Sequence, residues 1–308
     1  MPLQLDFPAG GLMATVRCRL DLPPNFRTAD VLAFHGRDRQ AIGERTGPGC
    51  LSKGLVWQGR LACLSIAFAD GVAEAELAVD GGRADDTALV STISRLLGLD
   101  QPVVAFERAH AVHPQLGPLL ARQFGLRVPL AATPFEALTW AVTGQQISLG
   151  VAISLRRKLL LAAGLRHSGG LVCYPDAERL VTLDEAVLRA AGFSGSKAQT
   201  LLAVSRLVLE GALPLDDWLM EPLAGEIRHR LLAVRGIGPW TVDYVLLRGY
   251  GWLDGSLHGD AAVRHGLGRL IGTTSVPDAK TVQAWLMPFA PWRALVAAHL
   301  WASLALST

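Results

Sequence analysis

One stretch constrains this chain more than any other: Leu231-Leu-Ala-Val-Arg-Gly-Ile-Gly-Pro-Trp-Thr241. An apolar run of helical spacing ends at Gly236-Ile237-Gly238, and Pro239 suits the first position of a new helix. A helix, a tight turn and a second helix are therefore expected. A Gly-x-Gly turn of this kind presents backbone N–H groups outward. At a helix N-terminus they form a concavity that fits a phosphate oxygen. An aspartate, Asp260, follows further along. The reading is that the turn grips a nucleic-acid backbone and that the acid acts on what is gripped.

Composition narrows the class. A chain of 308 residues can build two or three packed units. Half its residues are apolar and 18% are charged, which excludes a disordered chain. No apolar run approaches the ~18 residues a membrane span needs. The opening Met1-Pro-Leu-Gln-Leu-Asp6 lacks the basic-then-apolar pattern of a secretory leader, so a cytoplasmic protein is expected. Cys18, Cys50, Cys63 and Cys173 are scattered without metal-ligand spacing. They argue against an iron–sulfur cluster and, in a reducing compartment, against a structural disulfide. The net charge of +2 is a faint footprint for nucleic acid. Lys53, Lys158, Lys197 and Lys280 are the lysines and the other basic residues are arginine. Arginine forks suit phosphate, although genome composition produces the same bias.

The fold class expected is α+β. Met13–Leu20 partly alternates, Val31–His35 reads as a short buried strand, and Leu55–Trp57, Leu61–Phe68 and Ala73–Val79 alternate apolar and polar. Gly59 and Asp70-Gly71 supply turns, and Asp-Gly between alternating runs signals a hairpin. Thr87–Leu97 has helical spacing, with Asp85 or Asp86 as its cap. Residues 1–104 thus read as an antiparallel sheet-plus-helix domain, with Asp100-Gln-Pro102 as the linker. Residues 105–308 read as an all-α, two-lobed domain. Within it Thr133-Pro-Phe-Glu136 is a capping box with proline at the first helical position. Gly144-Gln-Gln-Ile-Ser148 breaks the helix that follows, and Ser148 caps the next.

Five segments occur in a telling order: Phe135–Ser148, Gly195-Ser-Lys-Ala198, Val234–Tyr244, Gly259-Asp-Ala-Ala-Val-Arg264 and Pro291-Trp-Arg293. Together they resemble the helix-hairpin-helix DNA glycosylase superfamily, and within it 3-methyladenine DNA glycosylase II, the alkylation-repair type. The resemblance covers about residues 105–305, and the sheet-plus-helix start fits it more loosely. It implies hydrolysis of the N-glycosidic bond of alkylated purines in duplex DNA by base flipping. It implies no cofactor, no catalytic metal and no obligate protein partner, and a monomer is expected. A non-catalytic DNA-binding protein that keeps only the hairpin, or a glycosylase for deaminated or oxidised bases, is the alternative.

The resemblance also assigns residues. Asp260 matches the catalytic acid, whose fixed carboxylate stabilises positive charge developing on the sugar. From spacing alone it is equally a helix N-cap, and the two roles are compatible. Trp240, Tyr244 and Trp292 match the base pocket, where indole and phenol faces attract a cationic alkylated base at ~0.5–2 kcal/mol. Trp240 and Tyr244 stand four apart on one helix face, a spacing that also serves plain core packing. Trp140 and Trp301 carry no functional signal and are read as core. Trp240 takes the place where bifunctional members of the superfamily carry a Schiff-base lysine, so no lyase step is expected. Gln146 matches the residue that fills the gap left by a flipped base, although the family pattern has an apolar wedge there. Gly236, Ile237, Gly238 and Thr241 match the phosphate grip. The carbonyls of Leu232, Val234 and Ile237 match a monovalent-cation site. His258 stands where the family pattern has proline, either as a surface residue or as an aid to the chemistry near neutral pH.

Overall fold

A computed structural model of the chain describes residues 13–82 and 88–305. Asp85, Asp86 and the Met1–Asp6 segment lie outside them. Five strands, β1 (Met13–Asp21), β2 (Glu44–Gly47), β3 (Cys50–Trp57), β4 (Arg60–Ala69) and β5 (Val72–Asp80), form one antiparallel sheet in the order β1-β5-β4-β3-β2. The alternating runs read from the sequence become β3, β4 and β5. Their turns fall at Gln58-Gly59 and Asp70-Gly71, all four residues having positive φ. The apolar residues of each strand, among them Leu51, Leu64, Ile66 and Leu77, bury one face of the sheet. Against that face α2 (Leu89–Leu97) packs Leu89, Ile93, Leu96 and Leu97, the spacing of one helical stripe.

Val31–His35 is not a strand but part of α1 (Thr28–His35). Val31 and His35 are four apart and both buried, so the run serves a helix that shows one face to the core. Five residues are too few for periodicity to separate the two outcomes. The short edge strand β2, Glu-Arg-Thr-Gly, carries no apolar alternation and was not foreseen.

The rest is helical: α3 (Val103–His110), α4 (Leu116–Arg122), α5 (Pro134–Gly144), α6 (Leu149–Ala163), α7 (Ala177–Val181), α8 (Glu185–Ala190), α9 (Gly195–Leu209), α10 (Ala224–Leu232), α11 (Pro239–Tyr250), α12 (Ala261–Ile271), α13 (Ala279–Leu286) and α14 (Arg293–Ala305). Side chains of Thr133, Ser148, Asp176, Asp184, Ser194, Asp260 and Asp278 each accept a first-turn N–H. Such a cap contributes about 1 kcal/mol. Among the described residues no helix is long and apolar enough to cross a membrane.

Half of the predicted capping box forms. Thr133 Oγ1 accepts the Glu136 N–H at 3.0 Å, but the Glu136 carboxylate does not return to the Thr133 N–H. Its Oε1 meets Lys53 Nζ at 2.7 Å and Arg156 at 3.0 Å, while its Oε2 accepts the N–H of Ala132, the residue before the cap, at 3.2 Å. Glu44 of β2 meets the same two cations at 2.6 and 3.0 Å. Two carboxylates and two cations therefore close a buried ring between the sheet and helices α5 and α6. Lys53 is 0% exposed. Burial alone would raise the Glu44 carboxyl, but Arg156 and Lys53 outweigh it and hold it well below its usual range. Backbone bonds from Val172 to Ile42 and from Tyr174 to Gly54 join the two parts as well.

Candidate active site

Asp260 is the N-cap of α12, and its Oδ1 accepts the N–H groups of Ala262 at 2.9 Å and Val263 at 3.0 Å. Two indoles complete its environment. Trp240 Nε1 donates to Oδ2 at 3.0 Å, and Trp301 Nε1 donates to Oδ1 at 2.9 Å. Four N–H groups thus fix one partly exposed carboxylate. The cap reading and the functional reading fall on the same geometry.

Trp301 reaches Asp260 because α14 lies close on α12. At Gly266, one turn and a half into α12, an added Cβ would come within 2.7 Å of the Leu300 carbonyl. Any larger residue there would push α14, and Trp301 with it, off the carboxylate.

The aromatic wall continues from this point. The Trp240 and Tyr244 rings lie 5.4 Å apart, as one helix turn of α11 dictates, and Tyr244 lies 6.4 Å from Trp301. Trp140 Nε1, on α5, donates to the Tyr244 hydroxyl at 2.7 Å. Trp292 does not join them. Its ring packs on Phe106 at 5.9 Å and His110 at 5.7 Å, and it has no ring contact or hydrogen bond to Asp260, Trp240 or Tyr244 among the described residues. Trp292 therefore stands apart from the other residues expected at the pocket, whereas Trp140 and Trp301, packed against the core as read, also hydrogen-bond at this site. Nine residues are two and a half helical turns, so positions 292 and 301 point to opposite sides. Two tryptophans on one segment cannot be told apart until the facing helix is known.

The hairpin turn runs from the end of α10 to Gly238, the N-cap of α11. Gly236 has φ +91° and is exposed, and an added Cβ would strike Thr200 Oγ1 of α9. The N–H groups of Gly236 and Gly238 have no backbone partner among the described residues, so they are free to donate outward. The other two residues of the predicted grip face inward. Ile237 is 6% exposed and donates its N–H to Val234 O at 3.0 Å within the turn. Thr241 is 2% exposed, and its hydroxyl accepts from Gln145 Nε2 at 2.9 Å. That same Gln145 nitrogen also donates to Gly236 O at 2.9 Å.

Gln145 therefore ties the α5–α6 turn to the hairpin. Its neighbour Gln146 is exposed and held at φ +56°. Lys197 on α9 donates to Thr143 O at 2.8 Å, capping α5 beside the same turn. Gln145 and Lys197 escape the sequence reading because their partners, the Gly236 and Thr143 carbonyls and the Thr241 hydroxyl, lie on distant segments. His258 is half-buried, with Nδ1 at 2.9 Å from Ser256 Oγ, and has no hydrogen bond to Asp260 among the described residues.

The chain is similar in sequence and in fold to known proteins. Residues 139–291 match the model of the HhH-GPD superfamily of base excision DNA repair proteins. A DNA-3-methyladenine glycosylase of Bacillus subtilis is 28% identical over 69% of this chain and 71% of its own length. DNA-3-methyladenine glycosylase 2 of Escherichia coli is 29% identical over 62% of this chain, and the match spans 64% of that relative. The solved structure of a 3-methyladenine DNA-glycosylase from Archaeoglobus fulgidus shares the fold over 94% of this chain and 99% of its own, with a TM-score of 0.78 at 21% identity.

Proposed function

We propose that this chain, which belongs to the helix-hairpin-helix superfamily of base excision DNA repair proteins, is a monofunctional DNA glycosylase that releases alkylated purines from duplex DNA. The observation that carries the reading is the Asp260 carboxylate, pinned by four N–H donors at the mouth of an aromatic wall and beside a phosphate-gripping hairpin.

The steps follow from that arrangement. Gly236 and Gly238 donate to a backbone phosphate, which positions the strand without reading its sequence. The carbonyls of Leu232, Val234 and Ile237 would hold a monovalent cation, which would supply positive charge for a phosphate at the turn. Val234 O spends one lone pair on the Ile237 N–H and keeps the second. The damaged base leaves the stack, and Gln146 enters the gap from its exposed turn, where its amide can bond the orphaned partner. The flipped base stacks on Trp240, Tyr244 and Trp301. As the C1′–N bond breaks, its electron pair leaves with the base and positive charge grows on the sugar. The Asp260 carboxylate stabilises that charge, and it orients the water that adds to C1′ and takes its proton.

Absence of the lyase step rests on the lysines. Position 240 is tryptophan, Lys53 is locked in the buried ring, and Lys197 caps α5. Neither of these two lysines offers a free amine to C1′. The protein is proposed to act as a monomer on duplex DNA.

A panel of duplexes, each with one lesion, tests the reading. Release of 7-methylguanine or 3-methyladenine, with strand cleavage only after alkali, is expected. Release confined to uracil or 8-oxoguanine, or nicking without alkali, would overturn it.

A further inference from the structure

The sheet-bearing half of the chain reaches the aromatic wall. Between α1 and the helices α5 and α11 lies a small cleft lined by Phe34, Arg37, Trp140, Tyr244 and Arg248, which also touches Glu44, Glu136 and Arg156 of the buried ring. Two of its arginines, Arg37 and Arg248, stand outside that ring. Arg37 Cζ lies 4.1 Å from the Phe34 ring centroid and 5.1 Å from that of Trp140. Arg248 Cζ lies 4.4 Å from Phe34 and 5.5 Å from Trp301. Trp301 and Tyr244 are the residues that connect this cleft to Asp260.

Neither arginine has a carboxylate. Arg248 Nη1 donates to Pro129 O, and its Nε is buried without a partner. Arg37 Nε donates to Phe34 O, and its two terminal amino groups have no hydrogen bond or ion pair among the described residues. The acids that line the cleft, Glu44 and Glu136, are matched by Lys53 and Arg156. With those acids matched, the cleft holds a surplus of two cations, tempered by aromatic faces, the Tyr244 hydroxyl and two backbone carbonyls. Burial first, and then the neighbouring Arg37, draws the Arg248 guanidinium down to about 10.

Guanidinium groups donate and never accept. A base edge facing them must offer acceptors. Guanine-type bases present a 6-keto oxygen there, whereas adenine-type bases present an amino group whose hydrogens oppose the donors.

We infer that Arg37, supplied by the sheet-bearing half and backed by Arg248, sets the specificity of the pocket toward purines with a 6-keto oxygen, such as 7-methylguanine, over 6-amino purines such as 3-methyladenine. The inference rests on the reading of the site as an alkylpurine glycosylase.

The test uses the full chain and duplex DNA treated with dimethyl sulfate, which carries both lesions. Released 7-methylguanine and 3-methyladenine are quantified by mass spectrometry for the natural protein, Arg37→Met and Arg37→Lys, with thermal melts to verify folding. Arg37→Met should lower the ratio of 7-methylguanine to 3-methyladenine release by about tenfold, the discrimination of one good base contact. Arg37→Lys, which keeps a donor without the fork, should fall between. An unchanged ratio in both variants overturns the inference while leaving the glycosylase reading intact. So does an equal loss of both products with a shallower salt dependence, which would assign Arg37 to the phosphate backbone. Release of neither lesion by the natural protein removes the reading of the site and the inference with it.

Discussion

Replacing Trp301 by phenylalanine separates the two tryptophans near the end of the chain. The substitution keeps an aromatic ring against Tyr244 but deletes the N–H that meets Asp260 Oδ1 at 2.9 Å. Three of the four donors on the carboxylate remain, two of them on the same oxygen. A hydrogen bond to a charged group contributes about 1.5–3 kcal/mol, and with two backbone donors still holding Oδ1 the lower end applies. If that energy positions the carboxylate against the sugar, single-turnover base release should slow roughly tenfold. Trp292→Phe is the matched control, because Trp292 packs on Phe106 and His110 rather than on the carboxylate. It should change the rate by less than about twofold, since distant sites act independently. The assay is release from a single-lesion duplex with enzyme in excess, which isolates chemistry from product release. Equal losses in the two variants, or a Trp301→Phe rate within twofold of the natural protein, would refute the reasoning.

Further outcomes follow from the interface and the hairpin. Lys53→Met leaves Arg156 as the one permanent cation for Glu44 and Glu136, with His35 Nδ1 still 2.8 Å from Glu44, and an unpaired buried charge should cost about 3–5 kcal/mol, or about 5–8 °C in Tm by circular dichroism. Both carboxyls are depressed in the folded protein, so the natural ring stabilises above the ordinary carboxyl range, about pH 4.3, and is lost as pH falls through the folded values. In the variant a proton relieves the unpaired carboxylate, so the deficit should shrink between pH 7.5 and 5; a pH-independent deficit contradicts the electrostatic origin. Gly236→Ala combines a left-handed φ with a Cβ 2.2 Å from Thr200 Oγ1, and strain of about 1–3 kcal/mol should weaken duplex binding in fluorescence anisotropy. Adding Thr200→Ala should restore part of it. Gln145→Ala removes the bond from the α5–α6 turn to Gly236 and Thr241 and should slow base release more than it weakens binding to undamaged duplex.

The sequence made some of this legible for identifiable reasons. Strands β3, β4 and β5 were readable because alternation and Asp70-Gly71 are local signals. The hairpin was readable because proline and two glycines punctuate it. Asp260 was readable because a cap residue and an acid coincide there. What escaped depends on long-range packing. Trp301 matters only because Gly266 admits α14 to α12. Thr241 reads as a surface hydroxyl until Gln145 is found against it, from a segment nearly a hundred positions away. The Glu136 carboxylate reads as half of a capping box until Lys53 arrives from the sheet. The α1 run reads as a strand in the sequence because a short apolar run fits either period.

The most direct test of the account is Asp260→Asn, assayed for release of 7-methylguanine and 3-methyladenine from methylated duplex alongside binding to an abasic duplex. Asparagine keeps an oxygen for Ala262, Val263 and Trp301, so the N-cap and the fold should persist. The account predicts binding within about threefold of the natural protein and release slower by about a hundredfold or more, the scale expected when one preorganised electrostatic group is lost. Release that survives the substitution at near-natural rate, with binding intact, would contradict it.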